Sequence, residues 1–326
     1  MASWKPMRTM FAASAAVFVI AAAAPAARAA WPEHAVKVIV SLPPGSGADT
    51  TARFISKYLS QELGQPFVVE NRPGANSFIA ARAVAESAAD GYTMFVASNS
   101  PMVTNAAVFK KRPYDPVKDF SPVASLARFP MVLVVPASSP YKTLQDLVTA
   151  AKQAPGKLNY ASGTPTYQVA MERFHDRNGI RGNPIQYKGT SPAINDTAGG
   201  NVDYSIAEVS AVMPLVHAGK LRPLAVASDT RIKELPQMPT VSEAGTKGFE
   251  AYAWTGVFFP ANTPPAIVDK VSALVRKTMN SADGVAFIDN LGGTVFTGTP
   301  AQLRDFQVKE IEATRKIVKA ANIPVE

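Results

Sequence analysis

The feature that most constrains this chain is a unit that recurs along it: a short apolar run, a loop of glycine and hydroxyl residues, then a segment with helical spacing. The first copy is the fullest. Val36-Lys37-Val38-Ile39-Val40 meets the loop Ser41-Leu42-Pro43-Pro44-Gly45-Ser46-Gly47-Ala48-Asp49, after which Ala52, Ile55, Leu59 and Leu63 fall on one helical face. Asp49 is placed to cap that helix and Gly64 to end it. Glycines let backbone approach a ligand closely, and a helix N-terminus presents unpaired N–H groups with partial positive charge, so the junction suits an anion.

Three more loops repeat the pattern: 98–101 after a strand at 92–97, 162–166 after one at 158–161, and 188–191 after 185–187. This alternation predicts an α/β fold with parallel sheets, in which ligands bind outside the carboxyl ends of the strands. A Pro-rich connection at 112–122 precedes two apolar runs, 123–127 and 131–135, that read as a crossing between domains, and 251–259 reads as the return. The expected division is 30–128 plus 252–326 for one domain and 129–251 for the other. Their loops would meet across a cleft rich in hydroxyls and helix N-termini but poor in charged side chains, which favours a carboxylate.

The first thirty residues address the protein. Lys5 and Arg8 precede an apolar run at 10–24, and Ala27-Arg28-Ala29 is the small-x-small pattern of signal peptidase, so 1–29 reads as a cleaved export signal and the working protein as periplasmic. Losing Lys5, Arg8 and Arg28 with no acid lowers the net charge from +8 to +5. That is a mild, scattered excess and not a nucleic-acid footprint. With no cysteine there are no disulfides, thiolate metal sites or thiol nucleophile.

Several stretches together resemble the substrate-binding proteins of tripartite tricarboxylate transporters, the Bug family of periplasmic solute receptors. They include Val40-Ser41-Leu42-Pro43-Pro44-Gly45, Gly64-Gln65-Pro66-Phe67-Val68-Val69-Glu70-Asn71-Arg72-Pro73-Gly74, Asp90-Gly91-Tyr92-Thr93, Pro155-Gly156-Lys157-Leu158-Asn159-Tyr160-Ala161-Ser162, Tyr187-Lys188-Gly189 and His217-Ala218-Gly219-Lys220-Leu221-Arg222. The resemblance covers essentially the whole chain after the signal. It implies the two-domain type II periplasmic binding protein fold, with a cleft that closes on a small carboxylated solute. It also implies delivery to transporter subunits in the membrane, or in some relatives presentation to a sensor.

Departures from the family pattern fall in the presumed cleft. The first loop reads Gly45-Ser46-Gly47-Ala48-Asp49 where the family has two glycines and a hydroxyl before its Asp. Asn76, Ser77 and Phe78 stand where it tends to have two glycines and Asn, Gln168 beside Tyr167 replaces a frequent His, and Glu208 replaces a common Asp. Phe78 and Tyr167 therefore suggest a ligand with an aromatic body. The candidate ligand contacts are Pro44, Gly45, Ser46, Gly47, Asp49 and Phe78 with Ser98, Asn99 and Ser100 on one wall. Ser162, Gly163, Thr164, Thr166, Tyr167, Gly189 and Glu208 form the other, and Trp254 stands near the hinge.

Other classes fit less well. His34, His175 and His217 form no metal pair, with the latter two expected on solvent-facing helix surfaces, and no Gly-x-Ser-x-Gly elbow or phosphate-binding lysine loop occurs. The chain is therefore expected to be a receptor and not an enzyme. It should work as a monomer without cofactor, metal or nucleic acid. The ligand-sensing domain of a transcription regulator is disfavoured by the export signal and the lack of a helix-turn-helix.

Overall fold

In the computed structural model, which describes residues 1–4 and 31–326, the recurring unit folds as a strand, a loop and a helix. The apolar core and cleavage site of the expected export signal lie outside the described residues. β1 (Val36–Val40) is buried except at Lys37, and α1 (Gly47–Leu63) buries Ala52, Ile55 and Leu59. The cap differs from the expectation. Ser46, extended in backbone, accepts from Asp49 N–H at 3.3 Å, while the Asp49 carboxylate reaches back to Gly45 N–H at 3.0 Å. An N-cap needs a non-helical backbone and a side chain that reaches the third helical residue, which places Ser46 at the cap and Asp49 one turn in. Gly64 ends the helix with a left-handed backbone, φ 70°.

The chain continues through β2 (Phe67–Asn71), α2 (Phe78–Ala85), β3 (Thr93–Ser98) and α3 (Asn105–Val108) into β4 (Phe120–Pro136). Next come α4 (Leu144–Gln153), β5 (Asn159–Ser162), α5 (Pro165–Asn178), β6 (Asn183–Gln186), α6 (Thr190–Ala198), β7 (Tyr204–Glu208), α7 (Val209–His217) and β8 (Leu221–Val226). β9 (Tyr252–Pro260), α8 (Pro265–Met279), α9 (Ala282–Asn290), β10 (Thr294–Gly298) and α10 (Pro300–Ala320) follow. Residues Pro32–Glu326 form one compact unit. None of the helices among the described residues is long and apolar enough to cross a membrane.

The strands form one sheet in the order β2-β1-β3-β9-β4-β7-β5-β6, with β8 and β10 also paired to β4. β1 lies parallel between β2 and β3, and β5 parallel between β6 and β7, so the loops after these strands open into helices on one side of each half. The two apolar runs read as separate are a single strand. Residues 120–130 of β4 pair with β9, and residues 131–136 pair with β7 and β8. Arg128, Phe129 and Pro130 interrupt the apolar pattern between the runs without breaking the strand. At the crossover a ring of backbone bonds joins three segments: Met131 donates to Ala251, Ala251 to Ala227, and Ala227 to Met131, at 2.7–2.9 Å.

Two side chains bear on the sequence reading. Phe78 packs against Phe109 and Tyr114, ring centroids 5.0 and 5.9 Å apart, on the core of the first half. It is half-buried there, with part of its ring sharing aromatic surface with theirs. His175 is buried, not solvent-facing; its Nε2 lies 2.8 Å from the Tyr204 hydroxyl and its Nδ1 3.5 Å from Glu172. This polar cluster fastens α5 to the sheet.

Replacing Ser46 by Ala should lower stability by about 1 kcal/mol, and replacing it by Gly by only a few tenths. Urea unfolding of the two variants measures the difference, and equal losses would show that the hydroxyl cap contributes nothing.

Candidate functional site

Three helices begin around one small cavity. α1 starts at Gly47, α5 follows its cap Thr164, and α7 follows Glu208 at the end of β7. The cavity measures about 20 Å³, enough for one water-sized group. From the sequence-predicted set it gathers Gly47, Ser98, Asn99, Ser100, Thr164, Tyr167 and Glu208. Phe129, Trp254 and Thr255 also line it, with Leu42, Ala48 and Ala253. Thr255 was not legible in the sequence, because it arrives by pairing with Ser98 across β3 and β9, more than 150 residues apart in the chain.

The polar inventory of this cavity is unbalanced. Ser98 Oγ, Glu208 Oε2, Trp254 Nε1 and Thr255 Oγ1 are buried and have no hydrogen-bond partner within the protein. Such a group costs about 1–3 kcal/mol, and native proteins rarely leave one unpaired. Four lining a single cavity form a set of donors and acceptors prepared for a polar solute group.

Two carboxyls flank the start of α1, and they are in opposite states. Burial would raise Asp49, but Arg53, Gly45 N–H and Asn71 all bond to it and hold it below the ordinary carboxylate range. Its oxygens lie 2.9 Å from both Arg53 and Asn71, so Asp49 is spent within its own loop and helix. For Glu208, burial dominates and pushes the carboxyl up to about 7, against its own N–H and that of Gly47, which favour the ionised form.

A wider space of about 180 Å³ shares Leu42 and Thr164 with the small cavity and includes Ser41, Gly163 and Gly189. Gly189 has φ 152°, and a Cβ there would stand 2.8 Å from the Pro43 ring, so only glycine lets the loop after β6 reach the loop after β1. α6 begins at this loop without a side-chain cap. Opposite lie Ala75, Asn76 and Ser77, three consecutive non-glycine residues with positive φ (45°, 54° and 70°). Strain of order 1–3 kcal/mol per residue persists only where the surroundings enforce it. Here Asn105 Nδ2 grips the Asn76 carbonyl at 2.8 Å.

The remaining predicted residues do not line this small cavity. Pro44 and Gly45 are exposed on the outer side of their loop, and the site above Gly45 is open space. Ser46 is consumed as a cap, and Ser162 donates to the Thr164 carbonyl at 3.2 Å. The Thr166 hydroxyl lies 2.8 Å from both Ser100 and Thr104, joining the two halves of the molecule.

A curled α/β sheet with a polar cavity where its halves meet defines a solute-binding receptor. The chain belongs to the tripartite tricarboxylate transporter family receptors, whose profile matches residues 51–323, and its fold is that of the two-domain type II periplasmic binding proteins. It is 34% identical over 300 residues to Protein BugT of Bordetella pertussis, covering 91% of this chain and 92% of that protein. R. palustris Rpa4515 with adipate is 35% identical with a TM-score of 0.88, over 90% of this chain and 99% of that one. MatC (Rpa3494) from Rhodopseudomonas palustris with bound malate is 31% identical with a TM-score of 0.84, over 88% and 100%.

The raised Glu208 carboxyl has a consequence for stability. The folded protein keeps a proton that the unfolded chain, at the ordinary value of 4.5, releases. Its contribution is intact below about pH 4.5 and is lost as pH rises through about 7. Between pH 4 and pH 8 the native protein should lose roughly 3 kcal/mol relative to Glu208→Gln. Urea unfolding across that range tests this, and parallel profiles would show that Glu208 keeps its ordinary carboxyl value in the folded protein.

Proposed function

We propose that this protein captures a small carboxylated solute between its two halves in the periplasm and delivers it to a tripartite tricarboxylate-type transporter, without chemical turnover. The observation that carries the reading is the convergence of Ser98, Glu208, Trp254 and Thr255, buried and unpartnered, on one cavity beside the start of α1. Donors without charge, together with helix N–H groups, solvate an anion at little desolvation cost to the protein. The adipate and malate in the two relatives are carboxylates of the size such a cleft would take.

The division into 30–128 plus 252–326 and 129–251 fits this role. The change of partners along β4 at 130–131 and the start of β9 at Tyr252 are the two places where the chain passes between halves. Bending there would part Gly47, Ser98, Asn99 and Ser100 from Gly163, Thr164, Tyr167, Gly189 and Glu208. The cavity of about 20 Å³ admits no more than one oxygen of the solute's carboxyl group, so the body occupies the wider space between Ser41 and Gly189 or waits on parting of the halves. Residues 1–29 act as the export signal.

In this reading Glu208 is protonated when an anion is bound, and donates to it, since two facing carboxylates would repel. The polar groups that face it are the N–H of Gly47 at the start of α1 and, across the cavity, the Tyr167 phenol on α5. Adipate affinity should therefore fall about tenfold from pH 6 to pH 8, and the fall should vanish in Glu208→Gln. Calorimetry at both values, with adipamide as the uncharged control, is the test. Equal binding of acid and amide would remove the carboxylate reading; transport lost on deletion of the gene would separate a transporter role from a sensory one.

A further inference from the structure

A second cavity of about 390 Å³ lies against the first, and the solute-capture reading does not use it. Asn99 and Trp254 line both spaces and so form the wall between them, tied in place by Asn99 Nδ2 donating to the Tyr252 carbonyl at 3.2 Å. The second chamber is built differently. Its size is that of a small-molecule site, and its walls present Trp254, Tyr252, Phe296 and Phe306. Trp254 and Phe296 both meet Phe306 edge-on, at 5.3 and 5.0 Å, which leaves an aromatic recess between β10 and α10.

The charges of this chamber sort themselves. Arg173 lies 4.6 Å over the Phe249 ring, donates to the Glu250 carbonyl, and has Glu310 and Glu250 as opposing charges. Arg128 has no such partner. Its guanidinium lies 5.1 Å from the Tyr252 ring and 5.9 Å from that of Phe296, and it forms none of the ion pairs found among the described residues. An arginine held by cation–π attraction to two rings and by no ion pair has N–H groups left to offer a carboxylate. One buried nitrogen in the walls, Arg173 Nε, has no acceptor within the protein.

We propose that this chamber is a second binding site, distinct from the carboxylate cavity, for an organic acid with a flat aromatic body. The carboxylate pairs with Arg128, and the ring system fills the recess formed by Trp254, Phe296 and Phe306. The aromatic character that the sequence suggested for the ligand, through Phe78 and Tyr167, belongs on this reading to a different site and a different molecule.

Calorimetric titration with 1-naphthoate, on the protein alone and on the protein saturated with adipate, tests the proposal. One naphthoate should bind in both cases with affinities within twofold. Arg128→Met, a change at an exposed position, should weaken naphthoate at least tenfold and leave adipate within twofold, and Phe296→Ala should act in the same direction. Absence of naphthoate binding, displacement of naphthoate by adipate, or binding insensitive to Arg128→Met would each overturn the second site. Failure of adipate to bind while naphthoate binds through Arg128 would instead overturn the carboxylate reading of the small cavity and leave the chamber standing.

Discussion

The site depends on the unbroken backbone hydrogen bonding of β4. One strand serves two half-sheets, pairing with β9 along its first part and with β7 and β8 along its last. Because the same strand belongs to both ladders, the C-terminal ends of β1 and β3 are brought opposite those of β5 and β7. The loops there are not independent turns. Their glycines and hydroxyls face one another because the ladder brings them together, and the ring of bonds through Met131, Ala227 and Ala251 holds the crossover in place.

Within that frame the chemistry rests on separating two carboxyls by environment. Asp49 is surrounded by donors and stays ionised; Glu208 is buried with one oxygen unpaired and keeps its proton up to about 7. Pairs of titratable groups pushed apart in this way mark sites with assigned roles. Asp49 shapes the loop that α1 grows from, and Glu208 is left as a neutral group facing the cavity. In the proposed receptor an anion is accommodated without a dedicated arginine or lysine, which would itself be costly to bury.

Much of this was legible in the chain because local rules govern it. The strand, loop and helix of 36–64 follow from apolar periodicity and a terminal glycine, and the family motifs are local strings. What stayed hidden came from long-range pairing. Thr255 gains its place only by lying beside Ser98, and the single strand β4 was split in the sequence by Arg128, Phe129 and Pro130. Ser46 took the capping role expected of Asp49 because backbone conformation, invisible in composition, decides which of two capping residues caps. Phe78 shows that a residue departing from a family pattern near a cleft can also pack toward the core, here against Phe109 and Tyr114. Ala75, Asn76 and Ser77 show the reverse. Left-handed backbone survives there without the glycines the resemblance implies.

The hydroxyl of Thr166, touching those of Ser100 and Thr104 across the halves, sets the tempo of the proposed receptor. Neutral hydrogen bonds of this kind are worth about 0.5–1.5 kcal/mol each once exchange with water is counted. Two of them fall short of the ~5.5 kcal/mol needed to shift a conformational population from one extreme to the other. The clasp therefore biases closure without enforcing it, and with no charge involved it is indifferent to ionic strength. How long a cargo stays is then a property of the cargo itself, so solutes of similar affinity can differ in dwell time according to how many of the orphaned groups each one satisfies.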